Sequence, residues 1–205
     1  MVFLRTMVYL FIKRRTLIHI PTITTGIIAY LIGAIPTGYI ISRLKGISDI
    51  RKYGSGNIGA TNVSRVLGMH YFFLIFFLDA GKSFLFIRAV TPYYTTDCLY
   101  FFATLVLIGN GYSIFLRGSG GKGVATLCGL FAALNASITA AMLIIWVLLL
   151  ALTRTVGIAS VGAVVCLPGL AYKTLEPISC FLFSLFAMCW IIYAHRSNIY
   201  AYWNI

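Results

Sequence analysis

Apolar residues fall in long runs separated by short polar, glycine-rich stretches, and they do not alternate in the two-residue rhythm of a membrane β-strand. The first clear run covers about residues 22–42 and holds Pro36 between Gly33 and Gly38, which predicts a kink near one end. Further runs cover about 66–90 and 98–116. The stretch 124–152 is too long for one upright span, and Asn135-Ala136-Ser137 divides it into about 124–135 and 138–152. Runs at about 156–172 and 178–194 follow, then a tail that is polar and finally aromatic. At about 20 residues per span, the pattern predicts an all-α, polytopic membrane helical bundle of about seven transmembrane helices. Residues 21–205 read as a single integral-membrane domain, and residues 1–20 as a basic N-terminal extension. In that extension apolar Met1–Ile12 precedes Lys13-Arg14-Arg15, the reverse of a secretory signal; a membrane-surface segment and a start codon set too far upstream both fit.

Composition narrows the class. Of 205 residues 60% are hydrophobic and 10% charged, and the mean hydropathy is +0.95. A soluble domain of this size cannot hide so much apolar surface. The net charge of +12 then speaks for cytoplasmic Lys/Arg enrichment and an anionic ligand, with no nucleic acid implied. With loop 43–65 inside, the inner face collects Arg43, Lys45, Arg51, Lys52, Arg65, Arg117, Lys122, Arg154 and Arg196. The outer face keeps Arg88 and Lys173, near Asp97 and Glu176, and the cluster at 13–15 breaks the rule. Five cysteines are scattered through apolar runs without C-x-x-C spacing, so they read as packing residues with no disulfide framework and no metal site. Asp79 and Lys82 lie three apart in the second run; an internal ion pair is the stronger reading and a catalytic role the weaker.

Three polar segments carry the candidate chemistry. The first is Gly54-Ser-Gly-Asn-Ile-Gly-Ala-Thr-Asn-Val-Ser-Arg65. Its glycines let backbone N–H groups approach a guest, Ser, Thr and Asn add donors, and Arg65 adds a forked cation suited to phosphate. It reads either as an oxyanion cradle or as a polar turn between helices. Gly54, Gly56 and Gly59 also match the dinucleotide fingerprint, but Asp49–Tyr53 before them is no core strand, and that reading fails. The second segment, Arg117–Thr126, resembles a P-loop but has Leu116 and Gly123 where that motif needs Gly and Ser/Thr. What is left is a glycine turn at a helix N-terminus with Lys122 in reach: an anion site, or a basic loop against lipid head groups. The third is His195-Arg196-Ser197-Asn198, where the histidine is a helix cap or a catalyst. With four acidic residues the chain lacks material for a two-carboxylate mechanism, and no Ser-His-Asp set emerges.

These three segments, with their spacing and the predicted spans, resemble the signature motifs of the PlsY family, the bacterial acyl-phosphate:glycerol-3-phosphate acyltransferases, over about residues 25–200. The resemblance implies an enzyme of the bacterial cytoplasmic membrane, active site facing the cytoplasm, that moves a fatty acyl group from acyl phosphate to the 1-hydroxyl of sn-glycerol 3-phosphate. Lysophosphatidic acid and phosphate leave, in the first step of phospholipid synthesis. It implies catalytic roles for Ser55, Lys122, His195 and Asn198. It implies substrate or phosphate binding by Gly56, Asn57, Gly59, Thr61, Asn62, Arg65, Gly120, Gly121, Gly123, Thr126 and Ser160. It implies no cofactor, no obligate protein partner and no enzymic nucleophile, the substrate's own phosphate helping to deprotonate the hydroxyl.

The chain departs from the family pattern at several positions. Asn110 stands for a usual His, Ser113 for a Pro, Ser119 for a second loop lysine and Ala34 for a Ser; Ser83 stands after Lys82 where a Gly is usual, and Tyr200 and Ala201 replace basic residues. A catalytically weakened paralogue and a membrane carrier for phosphorylated metabolites are therefore the alternatives to an active acyltransferase. Asn110→His is expected to leave turnover unchanged or raise it, because Asn keeps a donor but cannot become cationic; a clear loss in steady-state rate would show that Asn110 serves a different purpose.

Overall fold

The structure is a computed structural model and describes residues 21–174 and 177–203; the extension 1–20 and Glu176 lie outside the described residues. Among those residues the α-helices follow in the order α1 Thr22–Ala34, α2 Thr37–Leu44, α3 Ala60–Leu67, α4 His70–Val90, α5 Thr96–Gly111, α6 Val124–Leu134, α7 Ala136–Thr153, α8 Val156–Val165, α9 Leu167–Lys173, α10 Ile178–Ala194 and α11 Arg196–Trp203, and no strand is present. Three segments are long and apolar enough to cross a membrane: Thr96–Leu116, Ala136–Thr153 and Val156–Lys173. The pair α1–α2, bent by 42°, makes a fourth. Helices α6 and α10 are apolar but shorter. A polytopic bundle is therefore established, while the expected count of seven spans goes further than these lengths do.

The predicted kink is a full break. Pro36 has no N–H, and α1 stops at Ala34 before α2 begins at Thr37. A break inside a bilayer releases carbonyls that water cannot reach. Lys82 of α4 donates to Gly33 O at 3.2 Å and Ile35 O at 2.7 Å. Ser113 donates to Ala34 O at 2.6 Å. Asp79 pairs with Lys82 at 2.7 Å and accepts from Thr37 Oγ1 at 2.6 Å. The expected ion pair is thus present, and it splices the broken span.

Small residues let α1 and α5 meet. A side chain at Gly33 would strike the Val106 backbone, and one at Gly109 would strike Tyr30 O. Ala29, Phe102, Ala103, Val106 and Leu107 fill that contact and continue into the main core with Leu127, Leu130 and Phe131 of α6. A second, smaller cluster forms around Ile50, Ile58, Val63, Ile75 and Leu116 beneath the first polar segment. This corrects the reading of 43–65 as plain loop and of 66–90 as one span. Residues 60–67 form a separate helix that buries Val63, and Gly68, at φ 105°, ends it before α4 begins. The polar motif masks the helical period, because only Val63, Val66 and Leu67 mark its apolar side.

Removing the splice has a definite cost. Lys82→Met would leave the Asp79 carboxylate without its counter-ion and Gly33 O without the lysine's donor, which predicts a loss of about 3–5 kcal/mol. Thermal unfolding in detergent should show a strongly lowered midpoint, and an unchanged midpoint would remove the pair from its structural role.

Candidate active site

The first polar segment is held in shape by one side chain. Asn62 is buried; its Oδ1 accepts from Ser55 N at 2.8 Å, and its Nδ2 donates to Asn57 O at 2.8 Å and Tyr53 O at 3.0 Å. Asn57 Oδ1 accepts from Gly59 N at 2.7 Å. These bonds curl residues 53–59 over the N-terminus of α3, whose N-cap Gly59 brings no side-chain cap. The first-turn N–H groups there are open to an anion, and Arg65, on the same helix, has no hydrogen-bond partner among the described residues.

The second segment is pinned to the end of α5. Gly121 N donates to Asn110 O at 2.8 Å, and Gly120 lies so close to the Asn110 and Gly111 carbonyls that a side chain would not fit. Gly123, at φ 90°, turns the chain into α6, and it too brings no side-chain cap. Thr126, in the first turn of α6, is fully buried with no partner for its hydroxyl oxygen. Asn110 Oδ1 is likewise buried and unpartnered. Lys122 donates to Asn198 Oδ1, which ties the second segment to the third.

The third segment begins where α10 ends. His195 is buried, and its Nδ1 lies 2.9 Å from Ile191 O. A carbonyl oxygen only accepts, so the ring proton sits on Nδ1 and Nε2 is the acceptor. Burial, together with the nearby Lys122 charge, pulls the His195 pKa down to about 4, so the ring is neutral at physiological pH. Burial, then the Arg65 charge, brings Lys122 down to about 8.

All three segments meet at one cavity of about 390 Å³. Ser55, Asn57, Gly59, Thr61, Asn62 and Arg65 line it from the first segment. Gly121, Lys122, Gly123 and Thr126 line it from the second, and His195, Asn198 and Ser160 from behind. Two expected binding residues stand outside. Gly56, at φ 70°, serves the turn itself, and Gly120 is spent on the contact with α5. The sequence carries no signal for the rest of the wall. Phe72, Phe73, Phe76 and Phe77 of α4 face Met142, Leu143, Trp146 and Val147 of α7 across it. Their spacing fits a lipid-facing helix equally well, and Phe73, Phe77, Leu143 and Val147 are indeed exposed. The cavity therefore has a cationic, N–H-rich end and an apolar end.

The model of the glycerol-3-phosphate acyltransferase family matches residues 23–204. The glycerol-3-phosphate acyltransferase of Aquifex aeolicus (strain VF5) is 36% identical over 175 residues, which cover 84% of this chain and 91% of that protein. That of Synechococcus sp. (strain JA-2-3B'a(2-13)) is 38% identical over 170 residues, covering 83% and 85%. Two solved structures share the fold: PlsY (YgiH), an integral membrane glycerol 3-phosphate acyltransferase, in its glycerol 3-phosphate form and in its lysophosphatidic acid form. The first superposes with a TM-score of 0.85 at 34% identity, the second with 0.83 at 33%, each over 89% of this chain and 92% of the other.

The position of Lys122 carries a pH signature. Its cation is present below about pH 8 and is lost as pH rises through that value. An anion bound beside it must raise its pKa, so binding above that pH takes up protons and weakens as pH increases. Calorimetric titration of inorganic phosphate at a pH above 8, in two buffers of different ionisation enthalpy, should register net proton uptake. Equal heats in both buffers would separate Lys122 from the bound anion.

Proposed function

Since the chain belongs to the glycerol-3-phosphate acyltransferase family, we propose that it carries a fatty acyl group from acyl phosphate to the 1-hydroxyl of glycerol 3-phosphate. It is an integral membrane enzyme, an acyltransferase that takes glycerol 3-phosphate as substrate. The observation that carries the finer reading is the convergence of residues 55–65, 121–126 and 195–198 on one cavity that is cationic at one end and apolar at the other. That duality suits two phosphate esters side by side with one long hydrocarbon chain.

In this reading the uncapped N-termini of α3 and α6 each receive a phosphate group. Arg65 and Lys122 supply charge, and Ser55, Thr61 and Thr126 supply hydroxyl donors. Asn57 and Asn62 act one step removed, since their amides hold the cradle's shape. The 1-hydroxyl oxygen attacks the acyl carbonyl carbon, the bond from that carbon to the phosphate oxygen breaks, and inorganic phosphate leaves. The hydroxyl proton passes to a phosphate oxygen, and the neutral His195 lines the site beside Lys122 without adding charge. The anhydride is already activated, so positioning and charge stabilisation suffice. Thr126, buried without a partner, gains one when the anion arrives. The acyl tail lies between the phenylalanines of α4 and the apolar face of α7, where the cavity wall is also open to lipid. The Lys/Arg asymmetry of the loops supports a site on the cytoplasmic face, the inner membrane being the setting that the family reading implies, and residues 21–205 act as one domain.

Purified protein given acyl phosphate and glycerol 3-phosphate should release phosphate in step with lysophosphatidic acid. Product from a thioester donor and none from acyl phosphate would overturn the donor assignment. Lys122→Ala should lower turnover by about 10²–10³-fold while the protein still inserts and elutes as the wild type does. Near-normal steady-state rates would take Lys122 out of the site.

A further inference from the structure

Gly157 is a glycine that no turn requires. It is buried in the first turn of α8 and lines the cavity. Its backbone is ordinary helix, since the glycines with positive φ among the described residues are Gly46, Gly54, Gly56, Gly68, Gly118 and Gly123. Glycine weakens a helix relative to alanine, so what counts here is the missing side chain. A Cβ on Gly157 would stand 2.9 Å from Asn198 Nδ2 and 3.2 Å from both Cβ and Cγ of Asn198. The Asn198 side chain therefore lies against the bare α-carbon. Gly33, Gly109 and Gly129, by contrast, make room for the backbone of a facing helix.

The amide seated there turns its other side to the anion site. Lys122 donates to Asn198 Oδ1. An ammonium only donates, so the amide oxygen faces the lysine and the nitrogen is left on the Gly157 side. Lys122 is poorly fixed by its own segment. It stands between Gly121 and Gly123, and its charge rides on a flexible four-carbon stem. Asn198 is better held, in the first turn of α11, where its N–H donates to His195 O at 2.9 Å. We infer that Gly157 is a positioning residue for the anion site: the space left by its missing side chain seats the Asn198 amide, and that amide sets where the Lys122 ammonium stands. The inference rests on the acyltransferase reading, in which Lys122 supplies charge to a bound phosphate, and it adds a residue that need touch no substrate. Rotating the amide alone does not clear a methyl group at 157, because Asn198 Cβ and Cγ are in its way as well as the nitrogen. The whole side chain has to move off, and Oδ1 moves with it.

The test compares Gly157→Ala, Asn198→Ala and the double variant. Gly157→Ala should lower kcat/KM for glycerol 3-phosphate by about tenfold, while the thermal midpoint in detergent holds or rises, because alanine favours the helix. Asn198→Ala should lower kcat/KM at least as far. Gly157→Ala should add nothing on that background, since the amide it displaces is gone. Both single variants should also move the alkaline limb of the pH profile to lower pH. An acceptor on an ammonium favours its charged form, so without Asn198 Oδ1 in place Lys122 gives up its proton earlier. Arg65 and His195, the other charged or titratable groups beside Lys122, are the same in all variants. Affinity for inorganic phosphate at neutral pH, read by calorimetry, should fall in the same order and does not depend on turnover. A glycine that only packs α8 would lower the midpoint and leave the alkaline limb in place. Wild-type kcat/KM and phosphate affinity in Gly157→Ala overturn the inference, and so do losses that add in the double variant. A Gly157→Ala protein that fails to fold overturns it as well, because the methyl then meets more than one movable side chain. A wild type that binds phosphate and transfers no acyl group would instead sink the acyltransferase reading, and the phosphate affinities would still decide the role of Gly157.

Discussion

A carbonyl released inside a bilayer must be met by the protein, because no water is there to meet it. The break at Pro36 releases the carbonyls of Gly33, Ala34 and Ile35, and the bundle answers with Lys82 from α4 and Ser113 from the end of α5. Lys82 would be a costly charge in that position without Asp79, and Asp79 in turn anchors Thr37 at the start of α2. The same set of bonds fixes where α2 points and so where residues 45–59 emerge. Ser113 ties the approach to the second glycine segment to the same spot. Asp79 also lines the cavity, so the splice and the site share a wall.

Polar residues around the cavity divide by how their hydrogen bonds are spent. Asn57, Asn62 and Ser113 are committed to backbone groups, and each commitment fixes a bend or an N-terminus. Thr126 and Arg65 are left open, and Thr126 is open while fully buried. A buried hydroxyl without a partner costs free energy, which a ligand that supplies one would recover. The committed set gives rigidity, the open set is the one proposed to hold the ligand, and the two alternate along the same short segments.

That alternation explains what is legible in the sequence. The helical runs, the kink at Pro36, the Asp79–Lys82 pair and the three polar segments are written in spacing and residue type, and they are found in the fold. Which polar residue faces inward is not written there. Asn62 and Thr126 look alike as donors, yet one amide is consumed by Tyr53 and Asn57 while the other side chain's hydroxyl is unpartnered. Gly56 and Gly59 sit three apart, yet only Gly59 lines the cavity, because Gly56, at φ 70°, is taken up in the turn that precedes it. Trp146 is invisible for a different reason. In a membrane helix an aromatic residue is ordinary, and only the facing Ser160 on the next helix gives its N–H a partner.

The border between the two ends of the cavity is where these constraints become chemistry. Burial, and then the nearby Arg65 charge, weakens Lys122's hold on its proton, and the same burial strengthens the hold of its cation on an anion. A substrate carrying both a phosphate and a hydrocarbon chain resolves that conflict, because its charge restores the lysine's cation and its tail fills the groove. A free phosphate does only the first, and a fatty acid only the second. The site therefore favours ligands in which the two parts are joined at a short, fixed distance. In the proposed reaction an acyl phosphate has that form before the transfer, and a lysophosphatidic acid has it afterwards. Selection of this kind needs no nucleophile and no metal ion from the protein. It needs a sharp polar–apolar boundary, and a broken helix held by an internal ion pair keeps that boundary in place.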